Sequence, residues 1–218
     1  MMICHSHRFI FVHVPKTSGT SIKDALGQAI YGAGSAPEFL ISPNPHYPPA
    51  YTASVEEHIT ATKLAASLPA DVWDSYFKFG FVRNPFSWLV SNYFFFLRDR
   101  TDHPAHEFLK SQGFSGAVRF FLDAAKGASA VEGMHLRQSY FLCDGAGKSL
   151  VDFIGKYETL GADFHQICER VGIQPPPLPK LNQTRHRPFG DYYDETLRSL
   201  VYQGMIEDFR AFEYSSSW

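Results

Sequence analysis

The sequence is short of cysteine. Cys4, Cys143 and Cys168 are the three in 218 residues, too few and too scattered for a disulfide framework or a zinc site, and they fit a reducing compartment. Net charge is also small: Lys+Arg 20 against Asp+Glu 22 leaves a formal −2, with no basic excess of the kind that marks a general nucleic-acid binder. Any anion bound here must be held by a local constellation. Long apolar runs are missing too. The longest, Trp88 to Leu97, is interrupted by Ser91 and Asn92 and falls far short of a membrane span. Met1 to Arg8 carries several hydrogen-bonding side chains and leads straight into a strand-like segment, unlike a secretory signal. The expectation is a soluble, cytoplasmic protein without a membrane anchor. Repeats are absent, and low complexity is confined to Pro175–Pro179 and Ser215–Ser217.

What the chain does have is apolar mass. Hydrophobic residues make up 44% and charged residues 19%, which excludes a disordered, collagen-like or coiled-coil protein. The length favours one domain over residues 1–218. Arg8–Val14 reads as a buried strand closed by Pro15, Lys16–Thr20 as a small-residue turn, and Ser21–Tyr31 as a helix with apolar residues at Ile22, Leu26 and Ile30. Gly32–Ser54, rich in proline and glycine, reads as a long loop. A helix over Ala61–Leu68, a strand over Tyr76–Val82 and an apolar helix over Phe86–Arg98 follow. Two short helices are expected in Pro104–Ala125, a loop in Gly127–Gly133, a strand in Ser149–Tyr157, and helices over Leu160–Val171 and Asp194–Gly204. Strands alternating with helices predict an α/β fold with a central parallel sheet covered on both faces and additional helices. No composition shift marks a domain boundary.

Two stretches carry the chemistry. In the first, His13-Val14-Pro15-Lys16-Thr17-Ser18-Gly19-Thr20-Ser21, a strand ends in a turn of small residues that opens a helix. Such a turn aims backbone N–H groups and the positive end of the helix dipole at one point. Lys16 adds a full charge, and Thr17, Ser18, Thr20 and Ser21 add hydroxyls. It is not a Walker A loop, because Lys16 precedes Gly19 and the turn is too short for a triphosphate cradle. An ordinary strand-to-helix turn with a surface lysine is the plain alternative. In the second, Phe81-Val82-Arg83-Asn84-Pro85-Phe86-Ser87-Trp88-Leu89-Val90-Ser91, Arg83 stands at a strand's carboxyl end, where ligands of parallel sheets collect. Ser91 lies in the second turn of the next helix. Arg83 and Ser91 suit a phosphate; alternatively Arg83 pairs with a core carboxylate and Ser91 packs.

Together, HVPKTSGTS and FKFGFVRNPFSWLVSNY closely resemble the carbohydrate-type sulfotransferases (sulfotransferase family 2, heparan/chondroitin sulfotransferase-like), which use 3′-phosphoadenosine 5′-phosphosulfate (PAPS). Softer similarities run through His135–Leu142, Ile154–Glu158, Leu181–Thr184 and Asp208–Tyr214. The resemblance implies a P-loop-like three-layer fold and transfer of a sulfuryl group from PAPS to a hydroxyl, on a carbohydrate or glycosylated acceptor, without a metal. It implies that Lys16 stabilises the leaving phosphate, that residues Thr17, Ser18, Gly19, Thr20 and Ser21 hold the phosphosulfate, and that Arg83 and Ser91 hold the 3′-phosphate. Members usually carry arginine where Trp88 stands. A phosphotransferase using ATP and a non-catalytic nucleotide-binding module are the competing classes.

A hydroxyl acceptor needs a base, and an imidazole titrates in the right range. His58, at the end of the long loop and just before the helix cap Thr60, stands where several relatives place such a histidine, with Glu57 as its orienting partner. A loop histidine paired with Glu57 is the plain alternative. His13 is expected to hydrogen-bond the loop, with His46 and His135 in reserve as bases. Lys180, Arg185 and Arg187 form a basic segment that either folds over the nucleotide or is a solvated turn, and Asn182 has no role by its type. Trp73, Trp88, Tyr93 and Phe94–Phe96 are expected in the core. Cys4, His5 and His7 are expected to be a mobile terminal cluster.

Overall fold

Phe9-Ile10-Phe11-Val12 is apolar at every position, not at alternate ones, the pattern of a strand covered on both faces. The computed structural model of the chain describes residues 1–32, 58–125, 137–179, 181 and 186–217. In it these four residues form β2 (Phe9–Val12), buried throughout, after a three-residue strand β1 (Met2–Cys4). The helix α1 (Gly19–Tyr31) follows, then α2 (Ala61–Ser67), α3 (Ala70–Ser75) and β3 (Phe77–Val82). Next come α4 (Pro85–Asp99), α5 (His106–Ala125), α6 (Ser139–Leu142), β4 (Phe153–Lys156), α7 (Leu160–Val171), α8 (Glu195–Gly204) and α9 (Ile206–Ala211). The predicted α/β architecture is what the chain adopts. Its four-stranded sheet has the order β1-β2-β3-β4. β2 pairs with β3 and β3 with β4 in parallel, as expected, while β1 adds an antiparallel edge with Met2 opposite Phe11.

That edge corrects the expectation of a mobile terminal cluster. Met1 to Cys4 is fully buried, His5 Nδ1 and the Tyr76 hydroxyl are 2.8 Å apart, and Cys4 Sγ lies 3.3 Å from the Ser6 hydroxyl. Burial pushes the Cys168 thiol up to about 11, and all three cysteines are reduced and buried.

Side-chain caps fix three of the helix starts. Thr60 caps α2 by accepting from the Lys63 amide at 3.2 Å, and Asn84 caps α4 by accepting from the Phe86 amide at 3.0 Å, ahead of Pro85. Asp194 caps α8 through the Leu197 amide at 2.7 Å. α5 is broken at Gly113, whose φ of 64° no helix accommodates, so the two short helices expected there are present. Lys78, a buried charge near the start of β3, is satisfied by the Trp73 and Tyr76 carbonyls and by Asp152 at 3.0 Å.

The chain divides into two compact units, each assembled from separated segments. Residues 1–82 and 140–181 make the first. Here Ile22, Ala25 and Leu26 of α1, with Phe164, Ile167, Cys168 and Val171 of α7, close over Phe9, Phe11, Phe79 and Phe81 of the sheet. Phe164, Ile167, Cys168 and Val171 recur at helical spacing, so one face of α7 is apolar. Residues 83–139 and 182–218 make the second unit, a helical one. Its core gathers Phe86, Trp88 and Phe96 of α4, Phe121 and Leu122 of α5, Val201 of α8 and Phe209 of α9. Among the described residues no helix is long and apolar enough to cross a membrane.

Candidate active site

In the first unit the loop between β2 and α1 is bent by residues that are not glycine. Lys16 has φ 64° and Ser18 has φ 69°, both left-handed, while Thr17 between them does not. Alternation of hand over consecutive residues turns their N–H groups toward a common concavity, a nest for anions. Left-handed backbone at a residue with a Cβ costs roughly 1–2 kcal/mol, so two such residues in three concentrate strain where a ligand is expected. Among the described residues the Ser18 side chain makes no cap bond to α1, and the first turn of that helix holds no acidic side chain. The N-terminal amides and the positive end of α1 are thus left without an acidic side chain, the electrostatics an anion site requires.

The loop's other residues divide their work. Thr17 is completely buried, and its hydroxyl donates to the Val14 carbonyl at 2.8 Å, closing the turn. Ser21 is buried in the first turn of α1, and its hydroxyl accepts from the Leu181 amide at 3.4 Å. Thr20 is half-buried. Gly19 supplies closeness and not a left-handed bend: a Cβ on it would fall 1.9 Å from Cδ2 of His13. The His13 ring thus occupies the space beside Gly19, stacked on Phe11 at 5.8 Å between ring centres.

His58 belongs to the same cluster. Its ring centre lies 4.5 Å from that of His13, and its Nδ1 is 3.2 Å from the His13 carbonyl oxygen. A carbonyl only accepts, so Nδ1 carries the proton and Nε2 holds the lone pair of the neutral imidazole. Glu57, the partner expected for His58, lies outside the described residues, as do His46, His135, Lys180, Asn182 and Arg185. Arg187 is exposed, with its guanidinium 5.0 Å from the Tyr192 ring centre.

In the second unit Arg83, the residue after β3 in the chain, is buried, and its Nε donates to the Ser87 hydroxyl at 2.8 Å. Ser91 is buried one turn further along α4, on the same face as Ser87. Ser87 was not visible as a site residue in the sequence, although a hydroxyl four positions after Arg83 is a usable signal. Trp88, where an arginine was expected by resemblance, is 1% exposed in the helical core, as is fitting for an indole. Trp73 is only half-buried, under the Lys78 ammonium at 5.4 Å. Among the described residues no three His, Cys, Asp or Glu side chains are grouped as metal ligands.

The first unit is therefore an α/β body whose strand-to-helix loop carries Lys16 and His13 and two left-handed residues. The chain belongs to the sulfotransferase family, whose profile matches residues 1–215. No curated protein and no solved structure matches it.

Proposed function

We propose that this sulfotransferase moves the sulfuryl group of PAPS to a hydroxyl of a carbohydrate or glycosylated acceptor, residues 1–218 serving as one catalytic domain. The observation that carries the reading is the alternating-hand loop at Lys16–Ser18, with His58 bonded to it. The family match spans both compact units, which favours one domain. Three reduced, buried thiols suit a cytoplasmic setting.

The donor would supply the sulfuryl group and leave as adenosine 3′,5′-bisphosphate. The loop residues fit it: the amides of Thr17, Ser18, Gly19, Thr20 and Ser21 would hold the phosphosulfate, joined by the Thr20 hydroxyl. The Ser21 hydroxyl would join them while also facing Leu181. Thr17 would act through its amide, because its hydroxyl closes the turn. Lys16 would stabilise the charge that collects on the leaving phosphate oxygen. His58 Nε2 would take the acceptor's hydroxyl proton as the new O–S bond forms. Arg83 and Ser91, with Ser87 holding the guanidinium, would bind the 3′-phosphate, the group that separates this donor from ATP.

Calorimetry with adenosine 3′,5′-bisphosphate, ATP and adenosine 5′-monophosphate tests the donor. Selective binding of the bisphosphate is expected, with a loss of roughly ten- to a hundredfold in Arg83→Ala, the usual worth of a charged hydrogen bond. Equal or tighter binding of ATP would return the loop to the phosphotransferases. His58→Ala tests the base. It is expected to lower kcat by about 10²–10⁴, to abolish the acidic limb of the pH–rate profile, and to leave bisphosphate affinity unchanged. An acid limb that survives the substitution would rule His58 out as the base, and a wild-type protein that binds the bisphosphate but transfers nothing to any hydroxyl acceptor would be a binding module.

A further inference from the structure

Arg83 sits at an awkward place in the chain. The β3 ladder ends at Val82, opposite Lys156, and α4 begins only after its cap Asn84. The backbone N–H and C=O of Arg83 thus fall between the sheet and the helix, and buried backbone groups must find partners. Both find the same one. The Arg83 amide donates to Gln138 Oε1 at 2.7 Å, and Gln138 Nε2 donates to the Arg83 carbonyl at 2.7 Å. A side-chain amide offers one acceptor and one donor at the spacing of a peptide group, so Gln138 acts as a one-residue strand beside Arg83.

Gln138 is itself immobilised. It is wholly buried, and the Asp208 carboxylate accepts from its backbone amide at 2.7 Å. Asp208 also accepts from the Ser139 amide at 2.9 Å and the Ser139 hydroxyl at 2.6 Å. Asp208 is wholly buried as well, and burial lifts its carboxyl above the ordinary range in spite of those bonds. Arg83, Gln138, Ser139 and Asp208 all lie within the helical unit.

We infer that Gln138, held by Asp208 and Ser139, is a positioning residue that fixes the backbone of Arg83 so that its guanidinium is presented to the 3′-phosphate of the nucleotide. The inference rests on the phosphate reading of Arg83 and gives a task to Gln138, Ser139 and Asp208, which the proposed reaction itself leaves unused. Ser87 steadies Arg83 at its side chain and Gln138 at its backbone.

Binding to folded protein separates this from a merely structural role. Gln138→Met keeps the volume and removes both amide bonds. It is expected to weaken adenosine 3′,5′-bisphosphate by about tenfold, the worth of a pair of buried hydrogen bonds, while adenosine 5′-monophosphate, which lacks the 3′-phosphate, binds as to wild type. In an Arg83→Ala background the same substitution should add no further loss, because the two residues act through one contact. Equal weakening of both nucleotides, or wild-type affinity for the bisphosphate, overturns the positioning role. Unchanged bisphosphate binding in Arg83→Ala alone overturns the phosphate reading, and the inference with it, without any appeal to Gln138. Should Gln138→Met not fold, Ser139→Ala decides, since it deletes one hydroxyl from the Asp208 cluster. A smaller loss confined to the bisphosphate supports the inference, and no loss or an equal loss overturns it.

Discussion

Replacing Lys16 with methionine is expected to lower kcat for sulfuryl transfer by about 10²–10³, while the intact donor PAPS, titrated without acceptor, still binds within about tenfold of wild type. The argument is one of timing. In the proposed complex the loop amides would meet phosphate oxygens already charged in the ground state, so they would contribute to binding and transition state alike. A lysine beside the oxygen that loses the sulfuryl group meets extra charge only as that bond breaks, and an interaction of that kind acts on kcat. The substitution is also clean. Lys16 is in the left-handed region at φ 64°, and methionine bears the same steric cost there, so the backbone strain of the loop is unchanged. Methionine retains most of the aliphatic stem and removes only the charge. Steady-state kinetics with a fixed acceptor, paired with calorimetry, reads both quantities. A kcat within threefold of wild type would remove Lys16 from the chemistry.

Gly19→Ala should bring a closer clash than a methyl at any other described glycine. The new carbon would lie 1.9 Å from Cδ2 and 2.0 Å from Nε2 of His13, far inside van der Waals contact. The ring it meets is no loose side-chain end, because Phe11 lies on it at 5.8 Å and His58 at 4.5 Å. Relief requires that the His13 ring or the start of α1 move, and overpacking of this sort costs about 1–3 kcal/mol or more. Either movement also disturbs the amides of the anion loop and the carbonyl that fixes His58. Thermal melting should drop by several degrees and transfer should fall to background. Gly19→Ala combined with His13→Ala should recover most of the melting temperature, since the double variant removes the ring that the methyl strikes. A single variant that melts and turns over like wild type would show that the His13–Gly19 contact is not as tight as it stands.

Elements with strong local signatures are legible in the sequence. β2 and β3 announce themselves by aromatic and β-branched runs, and α2 by its cap Thr60. β1 was not, because Met-Ile-Cys becomes a strand only through its pairing with Phe9–Phe11. α3 and α6 are too short to show a period. The two compact units were hidden for a related reason: each is stitched from distant segments, so neither has a composition of its own along the chain. In the candidate site, charged residue types made Lys16 and Arg83 visible. Gln138 and Asp208 were not, since they act on backbone groups 55 and 70 positions away. The role of Gly19 also differed from the usual one, as the bend falls at Lys16 and Ser18 and the glycine serves the His13 ring.

The bend at Lys16 and Ser18 has a thermodynamic consequence. Two residues with side chains are held left-handed by the folded protein itself, so the cost of shaping the loop is met once, when the chain folds, and is drawn from overall stability. An anion arriving later has little backbone left to order. The affinity of a donor bound there, as proposed, would be spared the entropic penalty that a glycine-rich, floppy loop would impose at each encounter.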